Sequence, residues 1–419
     1  MNAQHADVLI VGAGMVGSAL AIALARNNIS VALFDKAPPK PFSPLQLPDL
    51  RVSALSYASE QILKQLNAWE HMASMRMCPY RKMAVWEQRG NPFNMGASKA
   101  VFDAIDIGHD QLGFIVENRV TQLGLHRALR EYKNIDLLCP VQITKIDVAS
   151  RTITLNDGRR FQGKLIVGSD GAHSQVRRAA KIGLSQKDYD QLCLVSTVEI
   201  EGGAQDITWQ AFTPTGPKSF LPLPSISGSI ADKNYASIVW YNTPDNIKRL
   251  DALDNELLMK EIELSFPNEL PPIIRLHERG SFPLVRRHAH VYYKPAVVLV
   301  GDAAHTINPL AGQGVNLGFQ DAAWLAEILI DAHRSGGDIG SSTVLSRYEK
   351  VRRPENQKMM TIMDLFYHAF SNDHIPLKVI RNLGIAMAGR LTPALKQVMK
   401  YAMGISGNQP KLAKGQPLS

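Results

Sequence analysis

An aspartate stands at the tip of a buried strand in the stretch VVLVGDAAHTINPLAGQGVNLGF, and a loop rich in small residues follows it. The run of β-branched residues stops at Gly301-Asp302, and a helical pattern begins at Val315. A carboxylate at a strand end can orient a ligand, and glycines let a ligand approach the backbone closely. A plain strand–loop–helix would leave these glycines unexplained.

A second group of glycines lies near the amino terminus, in ADVLIVGAGMVGSALAIALARNNISVALFDK. Gly12, Gly14 and Gly17 form the pattern G-x-G-x-x-G between an apolar strand and a helix. The first glycine permits a tight turn, the second lets a pyrophosphate approach the backbone, and the third lets the helix pack closely on the sheet. The N-terminus of the helix offers N–H groups and a positive dipole end to phosphates. Asp35 closes the next strand, where a carboxylate can accept ribose hydroxyls.

This segment predicts a dinucleotide site, but the motif does not distinguish FAD from NAD. Further predicted contacts on the turn and after the second strand are Met15, Val16 and Lys36. Arg51 and Arg119 each have two interpretations, a surface arginine or a clamp on the pyrophosphate, because a guanidinium can bind phosphate oxygens bidentately.

Another aspartate ends a short apolar strand, Leu165 to Val167, at Asp170-Gly171. Taken alone, Asp170 is typical of the N-cap of a following helix. Upstream, Asn156-Asp157-Gly158 predicts a tight hairpin turn between two strands.

The length of 419 residues predicts two or three domains. Residues 190–280 contain short runs rich in β-branched and aromatic residues, separated by Gly and Pro. They predict an antiparallel sheet inserted into the nucleotide-binding domain, with one amphipathic helix at LDNELLMKEIELSF. Such a sheet could wall a pocket for a bulky apolar ligand.

We therefore predict an α/β fold with a Rossmann-type dinucleotide-binding domain, an inserted antiparallel-sheet substrate domain and a C-terminal helical region. The nucleotide domain is discontinuous and comprises residues 1–75, 110–180 and 281–342. The substrate domain comprises residues 76–109 and 181–280. The helical region covers residues 343–405, where Pro393 is expected to separate two helices, and residues 406–419 are expected to form a disordered tail.

The composition is that of an ordinary globular protein, with 45% hydrophobic and 20% charged residues. The three scattered cysteines exclude a disulfide framework and a zinc cluster, favour a reducing cytoplasm, and leave no predicted metal site. We find no signal peptide, no transmembrane run, and no zinc finger or aromatic-rich basic groove that would indicate nucleic acid. The net charge of +8 has two interpretations, solubility or attraction to an anionic surface.

The glycine fingerprint, Asp170-Gly171 and Gly301-Asp302 occur together in this order, and the chain resembles the FAD-dependent aromatic hydroxylases of the para-hydroxybenzoate hydroxylase type. The stretches GDAAHTINPLAGQGVNLG, PDLRVSALS, MRMCPYRKMAVWE, WQAFTPTGPKSFLPL, FPLVRRHA and MDLFYHAFSN are similar to the ubiquinone-biosynthesis hydroxylases in particular. The resemblance covers nearly all of the chain, and it implies that the nucleotide domain is a Rossmann-type FAD-binding domain.

The resemblance implies that Asp302 binds the ribityl chain of FAD and that the loop after it passes beside the isoalloxazine ring. The residues implied at this loop and the following helix are Pro309, Gly312, Gln313, Gly314, Val315 and Asn316. The helix from Val315 would point its positive end at the flavin edge where reduced flavin is anionic. His305 is expected to be structural, and no catalytic base is assigned.

The resemblance further implies a polyprenyl methoxy-methyl-benzoquinol and O2 as substrates, NAD(P)H as a transient reductant, and a flavin C4a-hydroperoxide as the hydroxylating species. The alternatives are a sister hydroxylase acting at another ring position, a hydroxylase of a soluble phenol, and a flavin- or lipid-binding carrier without activity. The resemblance also implies work beside other ubiquinone-biosynthesis proteins.

The basic carboxyl end has two interpretations, a helical cap with a solvated face or a contact with anionic lipid at the inner face of the cytoplasmic membrane. The positively charged residues of this region are Lys378, Arg381, Arg390, Lys396 and Lys400.

Overall fold

The computed structural model describes residues 3–87, 99–227, 232–266, 269–307, 314–370 and 392–418. At its centre, six of the described strands form a sheet that is parallel except at one edge. In spatial order they are β19 (Tyr293–Lys294), β20 (Val297–Leu299), β13 (Leu165–Gly168), β2 (Val8–Val11), β3 (Val31–Phe34) and β9 (Ile135–Leu138). The central strands are continuous apolar runs because helices and neighbouring segments cover both faces of the sheet.

Helices from all along the chain pack around this sheet. They are α1 (Met15–Ala25), α2 (Tyr57–Gln65), α3 (Trp69–Ala73), α4 (Asn118–Leu129), α5 (Gln175–Ala179) and α8 (Gly314–Arg334). Strand β2 pairs in parallel with β13, and β13 pairs in parallel with β20. Because parallel strands end at the same edge of a sheet, the glycine fingerprint, Asp170 and Asp302 meet there, as the sequence predicts.

A second sheet contains eight of the described strands and is antiparallel except for one parallel pair, β15 with β6. In spatial order the strands are β21 (His305–Thr306), β18 (Ile273–Ala289), β14 (Leu184–Ile200), β17 (Lys233–Asn242), β16 (Lys218–Ile226), β15 (Ile207–Phe212), β6 (Lys82–Glu87) and β7 (Lys99–Asp103). The predicted inserted sheet is present, with the strands of both predicted segments in it.

The predicted domain boundary at residues 280–281 is wrong, because it falls inside strand β18. This strand pairs with β14 along nearly its whole length, from Leu184 opposite Ala289 to Ile200 opposite Ile273. The hydrogen-bonded ladder continues past the boundary, and β21 joins it from the nucleotide-binding segment. The two domains therefore share one continuous sheet.

Two smaller sheets and two further helices complete this part of the fold. The small sheets contain β4 (Val52–Ser56), β8 (Gly113–Glu117) and β5 (Cys78–Tyr80) in one, and β1 (Gln4–His5), β12 (Arg160–Gln162), β11 (Thr152–Leu155) and β10 (Ile143–Asp147) in the other. The predicted hairpin turn joins β11 to β12, with Gly158 at a φ of +84°. The predicted amphipathic helix is α7 (Asn255–Glu263), preceded by α6 (Pro244–Asp251), and both bury apolar residues against the second sheet.

The carboxyl end is helical where it is described, in α9 (Ser342–Phe370) and α10 (Thr392–Ala402). Pro393 lies in the first turn of α10, where a proline is tolerated. Residues 371–391, with Lys378, Arg381 and Arg390, lie outside the described residues. No helix in the described ranges combines the length and apolar composition needed to span a bilayer.

The prediction of a disordered tail is wrong for residues 406–418. Leu412, Ala413 and Leu418 are buried in the main core, and a 3-10 turn at Lys411–Lys414 packs against α2 and α8. The backbone N–H of Lys411 donates to Glu327 at 2.9 Å. The segment is mostly polar, but its three buried apolar side chains pack against the surface that α2 and α8 form.

We expect Leu412→Ala to destabilise the protein by about 2–5 kcal/mol, because it removes a fully buried side chain from a packed site. Denaturant titration followed by circular dichroism measures this change. Lys414→Ala, on the same turn but exposed, is the control and should change stability by less than about 0.5 kcal/mol. Equal stability of the two variants would contradict the packed tail.

Candidate active site

A cavity of about 600 Å³ lies between the carboxyl edge of the parallel sheet and one face of the second sheet. On the first side it is lined by Gly14, Met15, Val16, Arg51, Ser169, Gly171, Gly301, Asp302, Thr306, Gly314 and Val315. On the other side it is lined by residues of β6, β7 and β14 to β18, with Met399 and Ala402 of α10 and the following Met403 closing one end. Eight of the predicted cofactor residues therefore border the same space as the predicted substrate sheet.

The glycine loop has the geometry that its sequence predicts. Gly12 has a φ of +103°, and a side chain there would lie 2.4 Å from the carbonyl oxygen of Ser169. A side chain at Gly17 would lie 2.0 Å from the carbonyl oxygen of Gly12, so only glycine lets α1 pack this closely. By contrast, Gly14 faces open space, since a Cβ added there would meet no described atom within 4 Å. This gap beside the N-terminus of α1 suits a pyrophosphate.

Side chains from two other elements hold this loop in place. The Asp35 carboxylate accepts the backbone N–H of Ala13 at 2.7 Å, and the carbonyl oxygen of Ala13 lies 2.8 Å from Nε2 of His126. Gln122 donates to the same carbonyl at 3.1 Å. Sequence reasoning missed both α4 residues, since nothing in NRVTQLGLHRAL marks them as partners of a distant loop. Lys36 is exposed and does not line the cavity.

Asp170 binds the first turn of α5, but the N-cap of this helix is Ser174, so the N-cap interpretation of Asp170 is wrong. Its Oδ2 accepts the backbone N–H groups of Gln175 and Val176 in the first turn of α5, at 2.6 and 3.3 Å. Its Oδ1 is buried and has no hydrogen-bond partner among the described residues. The neighbouring Gly171 has a φ of +78° and lines the cavity. One carboxylate oxygen at this strand end is therefore left for a ligand.

Asp302 lines the cavity and is exposed to that internal space although it is deep within the protein. Burial raises the pKa of its carboxyl, while His305, Arg51 and Arg287 act in the opposite direction. Arg51 borders the same cavity, with its guanidinium 5.1 Å from the ring centroid of Phe282. The role of Arg51 as a phosphate clamp stays a prediction.

A buried carboxylate that the sequence prediction did not include, Asp321 of α8, fixes the segment that carries Asp302. It accepts hydrogen bonds from the backbone N–H of Gly301 at 3.1 Å, Arg352 Nε at 2.7 Å and Asn356 Nδ2 at 3.0 Å, and it also pairs with His305 Nε2. Burial alone would raise the pKa of Asp321, but His305 and Arg352 hold that pKa well below its usual range. The expectation that His305 is structural is consistent with this pairing.

The network continues to a pair of buried rings. Nε2 of His288 lies 3.0 Å from the hydroxyl of Tyr292, which accepts a hydrogen bond from Asn356. Burial, together with the nearby Arg353, lowers the pKa of His288 to about 4, so this imidazole is neutral at neutral pH. The one sequence signal for the network was an acidic residue inside the apolar helical stripe of GFQDAAWLA.

Two predicted cofactor residues have other partners. The guanidinium of Arg119 is largely buried, pairs with the Asp49 carboxylate and does not line the cavity. The Asn316 side chain donates to Ala54 and accepts from Ser56 and Ser59, and it ties α8 to β4 and α2. Pro309, Gly312 and Gln313 lie outside the described residues.

The residues present fit FAD. The open space beside Gly14 suits its pyrophosphate, and the N-terminus of α8 at Gly314 borders the cavity. The Asp170 carboxylate and the Thr306 hydroxyl each present a buried oxygen that has no partner among the described residues. FAD-dependent monooxygenases have this architecture. A Rossmann-type sheet carries three strand-end motifs beside a cavity, and a second sheet forms the opposite wall of that cavity.

Comparisons with known proteins agree with this class. A family model described as "FAD binding domain" matches residues 5–362. The chain belongs to this family and is an FAD-dependent monooxygenase.

The chain is 41% identical over 407 residues to the 3-demethoxyubiquinol 3-hydroxylase of Escherichia coli, covering 97% of this chain and 100% of that protein. It is 35% identical to the ubiquinone hydroxylase UbiL of Rhodospirillum rubrum, covering 99% of this chain and 94% of that protein. The crystal structure of the p-nitrophenol 4-monooxygenase PnpA from Pseudomonas putida shares the fold, with a TM-score of 0.77, 18% identity, and coverage of 97% of this chain and 100% of that one.

We expect Asp302→Ala to lose most of the bound FAD while the chain stays folded, because the change deletes a polar group that faces the cavity and removes no core volume. Absorbance of the purified protein near the flavin band, with circular dichroism as the check on folding, measures both effects. Asp110→Ala, at an exposed position outside the cavity lining, is the control. An Asp302→Ala protein with its full flavin content would show that this carboxylate does not hold the cofactor.

Proposed function

We propose that the protein hydroxylates the ring of a polyprenyl methoxy-methyl-benzoquinol in ubiquinone biosynthesis. The observation that carries the proposal is the single cavity in which the cofactor motifs face the second sheet. The full-length similarity to a 3-demethoxyubiquinol 3-hydroxylase, at 41% identity, supports the choice of ring. NAD(P)H is the proposed reductant and O2 the second substrate.

We assign the FAD contacts to the residues that border this cavity. They are Gly14, Met15, Val16, Arg51, Gly171, Gly301, Asp302, Gly314 and Val315, with Asp170 beside them. Asp35 and Gly12 shape the loop that receives the pyrophosphate. When bound here, FAD supplies the redox and oxygen-activating chemistry.

The protein's own part is to position the ring and to exclude water. The sheet side of the cavity is largely apolar, with Val195, Leu221, Val239, Phe282 and Leu284 among its lining residues. An apolar wall expels water when a ring enters, which protects a reactive site from side reactions. No described residue is assigned as a general base, since an electron-rich hydroquinol ring is itself nucleophilic.

We expect purified enzyme to consume NAD(P)H and O2 rapidly only when the hydroquinol is present, because the ring completes the water-excluding cavity. Mass spectrometry should show a product that has gained one oxygen atom at the ring carbon that is later methoxylated. Cells without the protein should accumulate the demethoxy intermediate.

Other outcomes would support the alternatives. Accumulation of an earlier ring intermediate would indicate a sister hydroxylase, and turnover of simple phenols alone would indicate a soluble-phenol hydroxylase. Flavin that is never reduced under any of these conditions would indicate a carrier.

We also propose that the protein contacts an anionic membrane surface at α10, where other enzymes of the same pathway would work on the same lipid. Lys396 and Lys400 are exposed on this helix, while Met399 and, just after the helix, Met403 are buried and line the cavity. A 3-10 turn at Ala104–Ile107 packs against α10 and exposes Ile105, at 76% of its full area. Positive charge beside an exposed apolar residue, next to a cavity wall, suits an enzyme that takes a substrate from a bilayer.

We expect the double variant Lys396→Glu/Lys400→Glu to bind anionic liposomes more weakly, since each lysine near such a surface contributes about 1 kcal/mol. Flotation at low and high salt measures the binding. The matched control, Lys133→Glu/Lys248→Glu, makes the same change in net charge at exposed positions elsewhere. Equal binding of wild type to neutral and anionic vesicles would contradict the electrostatic contact.

A further inference from the structure

The face of the second sheet that borders the cavity is apolar except at a few positions. Rows of side chains cross it perpendicular to the strands, because neighbouring strands are paired residue by residue. One row consists of Val195, Val239, Ser219 and Gln210, each opposite the next on strands β14, β17, β16 and β15. All four residues line the cavity. Two valines and two hydrogen-bonding residues therefore form one continuous strip.

Gln210 and Ser219 stand directly opposite each other in this strip. Directly paired residues on one face have Cβ atoms roughly 5 Å apart, so their polar groups can contact the same small ligand. Both residues are more than nine-tenths buried. Within the described ranges, neither the carboxamide of Gln210 nor the hydroxyl of Ser219 makes a hydrogen bond.

Ser237 adds a third such group in the next row. It lies opposite Leu221 on β16, its side chain is wholly buried, and its hydroxyl has no partner among the described residues. Ser237 is a diagonal neighbour of Ser219, at roughly 7–8 Å. We call Gln210, Ser219 and Ser237 the polar floor of the cavity.

A buried polar group without a partner is costly, and buried polar groups in native proteins are almost always hydrogen-bonded. Three of them on one cavity wall indicate a ligand with several polar atoms on a small frame. Each group of the polar floor can both donate and accept a hydrogen bond. This matches a ring that bears hydroxyls, which donate and accept, and a methoxy group, which only accepts.

We propose that the polar floor binds the ring oxygens of the quinol and thereby determines which ring carbon faces the flavin loops. The inference rests on the proposed function and adds the residues that set its specificity. Val195 and Val239 contact the face of the ring, and the polar floor fixes its rotation in the plane. With the ring held this way, hydroxylation occurs at one carbon and not at its neighbours.

The test compares Gln210→Met, Ser219→Ala and Ser237→Ala, which remove polar atoms with little change in shape. Gln162→Met, an exposed position on the small sheet at β12, is the control. We expect each polar-floor variant to keep its FAD content but to bind the quinol about tenfold more weakly, as one lost hydrogen bond to a ligand predicts. Titration of the flavin absorbance with the quinol measures this affinity without turnover.

Replacement of a residue with a purely structural role would not change which ring carbon is hydroxylated. The position of hydroxylation is therefore the second readout. In the variants we expect a mixture of ring products and a larger fraction of NAD(P)H oxidised to hydrogen peroxide without ring product. Gln210→Asn, which keeps the carboxamide, should restore part of the selectivity that Gln210→Met loses. Wild type should bind the quinol more tightly than an analogue that lacks the methoxy group. In at least one variant this difference in affinity should be smaller.

The failures of the two proposals are distinguishable. Wild-type enzyme that neither binds nor hydroxylates the quinol would contradict the proposed function. Active wild type, with all three variants folded and unchanged in affinity, product position and peroxide release, would overturn the polar floor.

Discussion

The flavin side of the cavity depends on the hydrogen bonds and ion pairs of the Asp321 carboxylate. It is fully buried within α8 and receives hydrogen bonds from Gly301, Arg352 and Asn356 as well as pairing with His305. These partners join the end of β20, the strand β21 and the long helix α9 to one point. Leaving one partner of such a buried ion pair without the other typically costs about 3–5 kcal/mol, so the arrangement has little freedom to shift. The position of Asp302 in the cavity follows from this constraint.

The second constraint is the ladder between β14 and β18, which joins the two domains that the sequence suggested. β18 pairs with β14 along the substrate sheet and with β21 next to the Gly301-Asp302 segment. The wall proposed to bind the ring and the Gly301-Asp302 segment are therefore linked through one hydrogen-bonded framework. Near-attack geometry between two bound molecules requires such fixed relative placement.

The local motifs were predictable from the sequence because each depends on residues close together in the chain. Gly12 and Gly17 permit contacts only a few residues away or at the adjacent strand end, and a strand that ends in Gly301-Asp302 is recognisable by itself. What the sequence could not show depends on distant partners. The ion pair of Arg119 with Asp49 and the polar floor at Gln210 require knowledge of which strands and loops are neighbours. The tail was mispredicted for the same reason, since the surface that holds Leu412 is made by α2 and α8.

The most direct test of the central claim, that the cavity brings FAD and the quinol ring together for oxygen insertion, is isotope labelling. Enzyme reduced with NAD(P)H is mixed with the hydroquinol under ¹⁸O2 in ordinary water, and the product is analysed by mass spectrometry. The account predicts one ¹⁸O atom in the new ring hydroxyl, with the second atom released as water. A hydroxyl that carries oxygen from the solvent, or an unaltered ring with all the O2 recovered as peroxide, would contradict it.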